Sequence, residues 1–284
     1  MITMSSCKIQ KNDGLSVLRG IFILMIVFHH MDLYAGGGTL GVSFFFVLGG
    51  FSLSLGYYDI VCSPSFSYLS FVKRRCMKFF PLHWFTLMLV FPLALFPLVI
   101  GTVAWWKVLA PLIPNALLLQ SLIPISSVYF SFNAVSWYLS ATLIFSFLFP
   151  FIVRFMNRWE IRGKILLLVV IVSLYGALVY CLPIESRHAI LYINPLIRSI
   201  DFFLGILLYV IYRDSVLHHI NSWQKDGYVY ECIGIFCIIF LIGISVVSSE
   251  NMRLISAIYW IPVAVLILST MLNSNAVSIQ IGGG

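Results

Sequence analysis

Apolar runs recur along the whole chain, at lengths that suit a lipid bilayer. A helix needs about 20 mainly apolar residues to cross the hydrocarbon core of a bilayer. Runs of this kind predict eight membrane spans, at residues 15–34, 38–57, 79–100, 135–153, 165–182, 190–212, 228–247 and 254–271. The predicted fold class is therefore all-α, a polytopic transmembrane helical bundle.

Residues 101–134 are apolar but do not read as a ninth span. Three prolines interrupt them, together with the polar residues Lys107, Asn115 and Gln120. Backbone broken by proline is tolerated at membrane depth only when it is buried in protein or lines a cavity. We expect an interfacial or re-entrant segment here.

The composition supports a membrane protein and argues against other classes. Of the 284 residues, 61% are hydrophobic and 10% are charged, whereas soluble domains carry about 25% charged residues. The cations are scattered between spans rather than gathered on one soluble face, which argues against a nucleic-acid partner. The six cysteines form no CxxC pair and have no histidine at metal-ligand spacing, so we expect no metal site and no disulfide framework.

The distribution of Lys and Arg predicts the orientation in the membrane. With the N-terminus inside and no net crossing by residues 101–134, thirteen of the 17 cations lie on the inner side and three on the outer side, and Arg198 lies within a span. The inner cations are Lys8, Lys11, Arg19, Lys73, Arg74, Arg75, Lys78, Arg154, Arg158, Arg162, Lys164, Arg213 and Lys225. Cytoplasmic loops carry the excess of Lys and Arg. We therefore expect eight crossings of the inner, cytoplasmic membrane with both termini cytoplasmic.

The stretch "FVKRRCMKFFPLHW", residues 71–84, places four cations in front of an apolar run. One interpretation is a topology anchor whose Lys and Arg residues touch lipid phosphates. The other is a binding site for an anionic ligand. If the helix begins before Pro81, then Arg75 and Lys78 share a face with Arg74. Three cations on one face can hold a phosphate, and Arg supplies forked donors.

The first span carries ionisable groups at both ends, in "LRGIFILMIVFHHMD". His30 follows Arg19 by eleven residues, which places the two about 20° apart around a helix and about 16 Å apart along it. Ionisable groups avoid lipid, so this stripe is expected to face protein or a wet cavity. A histidine there can exchange a proton near neutral pH. The alternative is a histidine that only hydrogen-bonds at the outer interface, for example to Asp32.

Other polar residues in the spans read as structural. Arg198 and Asp201, in "PLIRSIDFFLGILLYV", are spaced i,i+3, which favours a mutual intramembrane ion pair over a catalytic acid. His83 reads as a hydrogen-bonded packing residue. Trp137 and Tyr138, in "SWYLS", are expected in the interfacial aromatic belt.

Taken in order, these segments resemble acyltransferase family 3, a group of integral-membrane acyltransferases. The resemblance covers nearly the whole chain. It rests on "DGLSVLRGIFILMIVFHH", "LGVSFFFVLGGFSLSLGY", "FVKRRCMKFFPLHW", "NALLLQS", "SWYLSATLIFSFLFPF" and "RSIDFFLGILLY". It implies one acyltransferase domain over 1–284. Three departures stand out: Lys78 where the family has Arg, Gly49 where it has Ser, and a C-terminus that stops before the family's last span or spans.

The resemblance also implies an activity and its residues. Such enzymes move an acyl group, usually acetyl, from acetyl-CoA to a hydroxyl of a cell-envelope or secreted glycan, with no tightly bound cofactor. His30 is implied as general base or acyl carrier, and Arg74, Arg75 and Lys78 as ligands of the donor phosphates. Arg19, or N–H groups near Gly49 and Gly50, are hypothesised to stabilise an oxyanion. Two alternatives remain open: a transporter of glycans or lipid-linked sugars, and an inactive truncated family member.

Overall fold

The structure of the chain, a computed structural model, describes residues 13–219 and 227–282, with side chains at 13–214 and 228–273. The orientation prediction also counted three lysines that lie outside the described residues: Lys8, Lys11 and Lys225. The α-helices of the described ranges are α1 Asp13–His30, α2 Gly37–Cys62, α3 Tyr68–Val99, α4 Trp105–Ala116, α5 Ser126–Tyr129, α6 Ser136–Met156, α7 Ile161–Cys181, α8 Ile184–Arg187, α9 Pro195–His219, α10 Gly227–Val247, α11 Glu250–Arg253 and α12 Ala257–Gly282. A 3₁₀ turn covers Gln120–Leu122, and a π-helical stretch covers His188–Ile193.

The predicted all-α membrane bundle is confirmed. Within the described residues, seven helices are long and apolar enough to span a bilayer: α1, α2, α3, α6, α7, α9 and α10. Helix α12 contributes a shorter apolar stretch, Ala257–Asn273, within the residues whose side chains are described. Each of the eight predicted spans thus corresponds to one helix.

The segment at 101–134 contains only short elements. The longest is α4, with 12 residues, which spans about 18 Å at 1.5 Å per residue. That is well short of the ~30 Å hydrocarbon core. By length alone, no single helix in this segment can cross the membrane.

Helix α3 begins eleven residues before its predicted span does. Residue 79 was predicted as the start of the membrane span, and the helix itself extends further, through the basic run. The helix starts after Ser67, whose side chain accepts a hydrogen bond from the Ser70 N–H at 3.4 Å. The basic run therefore lies within the helix, and Pro81 lies in the helix interior rather than in its first turn.

The described residues form two compact units. The first unit comprises the described residues up to Tyr58 and from Asp201 onward, and the second comprises residues 59–200. Helices α1, α10, α11 and α12 belong to the first unit, and α3 to α8 to the second. The prediction of one domain over 1–284 stays a prediction.

Glycines allow close helix packing in the first unit. A Cβ on Gly37 would lie 2.2 Å from the Met25 carbonyl oxygen, and Phe22 stacks on Phe44 with ring centroids 3.7 Å apart. These contacts hold α1 against α2. Likewise, a Cβ on Gly50 would lie 2.0 Å from the Phe202 carbonyl oxygen, which brings α2 and α9 into backbone contact.

Buried polar groups order the second unit. The Gln120 amide donates to Ser136 Oγ at 3.0 Å, and the Ser121 and Ser140 hydroxyls are 2.7 Å apart. Ser140 also donates to the carbonyl of Leu118, a buried residue with a left-handed φ of 53°. These bonds hold the irregular segment after α4 against the start of α6.

Candidate functional site

Arg19 is held against α2. Its Nη2 donates to Ser52 Oγ at 3.0 Å, and the side chain is half-buried. The expectation that this cation faces protein rather than lipid therefore agrees with the structure. No local pattern in the sequence indicates Ser52 as the partner of Arg19.

The end of α1 presents two histidines to different surroundings. The buried face of α1 consists of Leu15, Leu18, Phe22 and Met25. His29 continues this face and is half-buried, whereas His30, the last residue of the helix, is exposed. The two rings are tilted, with centroids 5.4 Å apart. The role of His30 in proton or acyl transfer stays a prediction.

His29 fits into a space that glycine leaves on α2. A Cβ on Gly38 would lie only 2.4 Å from Cδ2 of the His29 ring. Any larger residue at 38 would displace the imidazole. Sequence reasoning assigned His29 no part, although the "GGGTLG" stretch signals a close approach of another helix.

The loop after the histidines is anchored at Tyr34. Its hydroxyl bonds the buried Ser245 hydroxyl, and Ser245 in turn donates to the Ile242 carbonyl at 2.8 Å. Since the serine proton is used in that second bond, Tyr34 is the donor. Burial raises the pKa of Tyr34 above its ordinary value, so the phenol stays protonated at neutral pH. This anchor fixes the chain four residues after His30.

Gly49 and Gly50 do not present free N–H groups. Both lie inside α2, where backbone N–H groups bond the carbonyls one turn earlier. The hypothesis that they stabilise an oxyanion was therefore wrong. Gly50 serves instead as the packing point against Phe202.

The basic run lies on the first half of α3 in the second unit. Lys73, Arg74 and Lys78 are exposed, whereas Arg75 is half-buried. Arg75 Nε donates to Ser146 Oγ of α6 at 3.1 Å. The helix does begin before Pro81. Arg74 and Arg75 therefore stand four and three residues before Lys78 on one helix, the spacing that places side chains on the same face.

Arg75 and Lys78 converge on one aromatic ring. The guanidinium carbon of Arg75 lies 5.1 Å from the centroid of Phe79, and Lys78 Nζ lies 5.9 Å from it. Both distances suit cation–π contacts. The ring thus keeps two positive charges close to each other on the helix surface.

Positive charge is concentrated in the second unit. It carries eleven Lys and Arg residues against three acidic residues, and no acidic residue occurs between Asp59 and Glu160. The first unit is nearly balanced, with six cations against seven acids over its full range. A site for an anion with several charges is therefore favoured on the second unit.

Arg198 and Asp201 are fully buried on α9. Asp201 Oδ1 accepts a hydrogen bond from the Trp260 indole N–H. The guanidinium carbon of Arg198 lies 5.7 Å from the centroid of Tyr192. Their mutual ion pair stays a prediction, and neither aromatic partner was found from the sequence.

His83 is a hydrogen-bonded packing residue, as predicted. It is buried, and its Nε2 lies 2.7 Å from the Asn115 carbonyl, so the ring donates from Nε2. The aromatic-belt prediction was wrong for Trp137, which is only 5% exposed and packs against Tyr192 with ring centroids 5.1 Å apart. The indole fills the interior of the second unit because the segments around it fold over the start of α6.

Comparisons with known proteins agree with the resemblance. The sequence profile of acyltransferase family 3, described as an acyltransferase domain, matches residues 12–280. The chain is 27% identical over 209 residues to "Acyltransferase MdmB" of Streptomyces mycarofaciens. That alignment covers 69% of this chain and 51% of the relative, so the chain spans about half the length of the curated relative it matches. No solved structure matches the chain.

Proposed function

Because the chain belongs to acyltransferase family 3, we propose that it is a membrane O-acyltransferase that uses acetyl-CoA or a related acyl-CoA. The proposed acceptor is a hydroxyl of a cell-envelope or secreted polysaccharide, such as O-antigen or exopolysaccharide, free or lipid-linked. The proposed location is the inner membrane, with both termini cytoplasmic. The observation that carries the proposal is the basic run of α3, which lies in a stretch without acidic residues.

The donor is proposed to bind by its phosphates. Coenzyme A carries several phosphate groups, and Arg74, Arg75 and Lys78 offer three cations within one helical turn. Arg donates in a fork that suits phosphate oxygens, and Lys adds a point charge. Because Lys and Arg are enriched in cytoplasmic segments, the predicted orientation places this run on the side where acyl-CoA is made.

The acyl step is assigned to His30. The acceptor hydroxyl loses its proton to the imidazole while its oxygen attacks the thioester carbonyl, and the proton then passes to the departing thiolate. A positioned base of this kind contributes about 10²–10⁴-fold to the rate. In the second version of the step, a ring nitrogen of His30 attacks the thioester carbonyl and the thiolate leaves with the ring proton. The acceptor hydroxyl then attacks the acyl-imidazole, takes the acyl group and gives its proton to the released ring nitrogen.

Arg19 is not assigned to the acyl carbon. The continuous helix α1 separates Arg19 from His30 by about 16 Å, and Arg19 is already bonded to Ser52. An oxyanion formed beside His30 would be out of its reach.

Acetyl transfer in membranes tests the proposal. Radiolabelled acetyl-CoA is supplied to the cytoplasmic face, and label in the envelope glycan is compared for wild type, His30→Ala and Arg75→Ala at equal protein levels. We expect label with wild type and none with either variant. Lys107→Ala, which removes an exposed cation outside the basic run, is the control and should retain activity.

Two results of this assay would contradict the proposed function or the role of His30. Absence of label with wild type, in the presence of donor and the full glycan pool, would contradict the proposal and favour a transporter or an inactive member. Donor consumption separates these two from an enzyme, since neither breaks the thioester. Label that survives in His30→Ala would remove His30 from the acyl step.

A further inference from the structure

Arg75 is bound to another helix through a serine buried in the second unit. Ser146 of α6 is 1% exposed, and its Oγ lies 3.1 Å from Arg75 Nε. The same hydroxyl donates its proton to the Thr142 carbonyl at 2.9 Å. The oxygen lone pairs of Ser146 are therefore available to Arg75, whose Nε–H can only donate.

This bond restricts a side chain that is otherwise adaptable. Arginine loses a large part of its rotamer entropy when it is fully fixed. In the structure, Nε is directed at Ser146 and the guanidinium carbon lies 5.1 Å from the Phe79 centroid. These two contacts restrict the orientation of the guanidinium, and hence of its forked N–H groups, before any ligand arrives.

We propose that Ser146 is a positioning residue for the acyl donor: it holds the Arg75 guanidinium in the orientation that binds the donor phosphates. This inference rests on the proposed function, in which Arg75 contacts those phosphates. Ser146 does not touch the donor itself. Its contribution is to arrange the fork of Arg75 in advance, which lowers the entropy lost on binding.

The packing around Ser146 favours positioning over a purely structural role. Helices α3 and α6 are also joined by Phe71 and Phe149, whose ring centroids are 6.2 Å apart. A further bond runs from the Tyr68 hydroxyl to the Phe147 carbonyl at 3.4 Å. The interface therefore has contacts of its own beside Ser146, and loss of one hydroxyl should leave the helices together.

Equilibrium binding of radiolabelled acetyl-CoA to the full chain in lipid nanodiscs tests the inference. Ser146→Ala removes the acceptor and should raise Kd about threefold to tenfold, because binding of the donor must then order the Arg75 guanidinium itself. Ser146→Thr keeps the hydroxyl and should restore most of the affinity. Arg75→Ala should raise Kd about tenfold or more.

A double variant, Ser146→Ala with Arg75→Ala, distinguishes an effect of Ser146 on the orientation of Arg75 from an effect on another part of the binding site. If Ser146 acts only through Arg75, the Kd of Ser146→Ala with Arg75→Ala equals that of Arg75→Ala alone. Thr86→Val is the control, because Thr86 lies on α3 and its hydroxyl bonds only a carbonyl of its own helix in the contacts described. It should bind acetyl-CoA as wild type does.

Three results would overturn the inference. Unchanged affinity in Ser146→Ala while Arg75→Ala weakens binding would remove Ser146 and leave the proposed function intact. Independent, multiplicative effects in the double variant would show that Ser146 does not act through Arg75. Unchanged affinity in Arg75→Ala would contradict the proposed donor site, and the inference with it.

A second substitution, Ser146→Cys, tests the inference if the Ser146→Ala protein does not fold. Ser146→Cys keeps nearly the volume of serine but replaces the oxygen by a poor acceptor. If Ser146→Ala yields no folded protein, weakened binding by folded Ser146→Cys would support the inference, and binding equal to wild type would contradict it.

Discussion

At the scale of single residues, the buried carboxyl group of Asp201 depends on a bond from Trp260. Trp260→Phe removes the indole N–H but keeps an aromatic ring at a site only 8% exposed. Leaving a buried acceptor without this donor should reduce the free energy of unfolding by about 1–3 kcal/mol. Thermal unfolding of the purified protein in detergent measures the loss.

The same change at an exposed tryptophan provides the control. Trp84 Nε1 donates to the Ala116 carbonyl at 2.8 Å, but its side chain is 50% exposed. The acceptor at Trp84 is a neutral carbonyl, which is a weaker acceptor than a carboxylate, so Trp84→Phe should destabilise the protein less than Trp260→Phe. Equal effects of the two changes would contradict the importance of the buried carboxyl group.

Some residue roles could be predicted from the sequence and others could not. The types and spacing of Arg19, His30, Arg75 and Lys78 are local patterns, so they could be found by reading along the chain. Ser146 lies 71 residues from Arg75, and a serine within an apolar helix has no local feature that identifies its partner. Side-chain pairs between helices become visible only when the packing is known.

At the scale of elements, the crossing of α2 and α9 requires glycine on both helices. A Cβ on Gly205 would lie 2.0 Å from the Val47 carbonyl oxygen and 2.7 Å from the Phe51 nitrogen. Because backbone atoms cannot move away as a flexible side chain can, Gly205→Ala should force the helices apart. We expect a loss of about 1–3 kcal/mol in the free energy of unfolding.

Gly243→Ala is the matched control in the same unit. Nothing lies within 4 Å of a Cβ built on Gly243, and alanine favours helix over glycine by up to about 1 kcal/mol. This variant should be neutral or slightly more stable in the same detergent unfolding assay. A Gly205→Ala protein as stable as Gly243→Ala would show that the crossing can relax.

Element ends were harder to predict than element types. Long apolar runs identify the spanning helices because burial in lipid demands them, and all eight predicted spans became helices. Helix α3 starts before its predicted span, because the helix continues through charged sequence once Ser67 caps it. Likewise, an ideal helical wheel predicts that Arg19 and His30 lie on the same face of α1. It does not predict that the buried face of α1 continues to His29, which packs against Gly38.

At the scale of the whole molecule, the distribution of cations predicts which loops share a side of the membrane. The segment between α3 and α6 decides the number of membrane crossings. Its longest helix has 12 residues, about 18 Å, so it should begin and end on the same face. The loop before α3 and the loop after α6 should therefore both be cytoplasmic, and the start of 101–134 should not.

Cysteine labelling in whole cells tests this topology. In a cysteine-free background, Ser65→Cys and Asn157→Cys report the loops on the predicted inner side, and Thr102→Cys reports the predicted outer side. A membrane-impermeant thiol reagent should label Thr102→Cys only, and permeabilised cells should label all three. If Asn157→Cys is labelled in intact cells while Ser65→Cys is not, then residues 101–134 cross the membrane once. The basic loop that follows α6 would then lie outside, against the bias of Lys and Arg toward the cytoplasm, and the number of crossings would be nine.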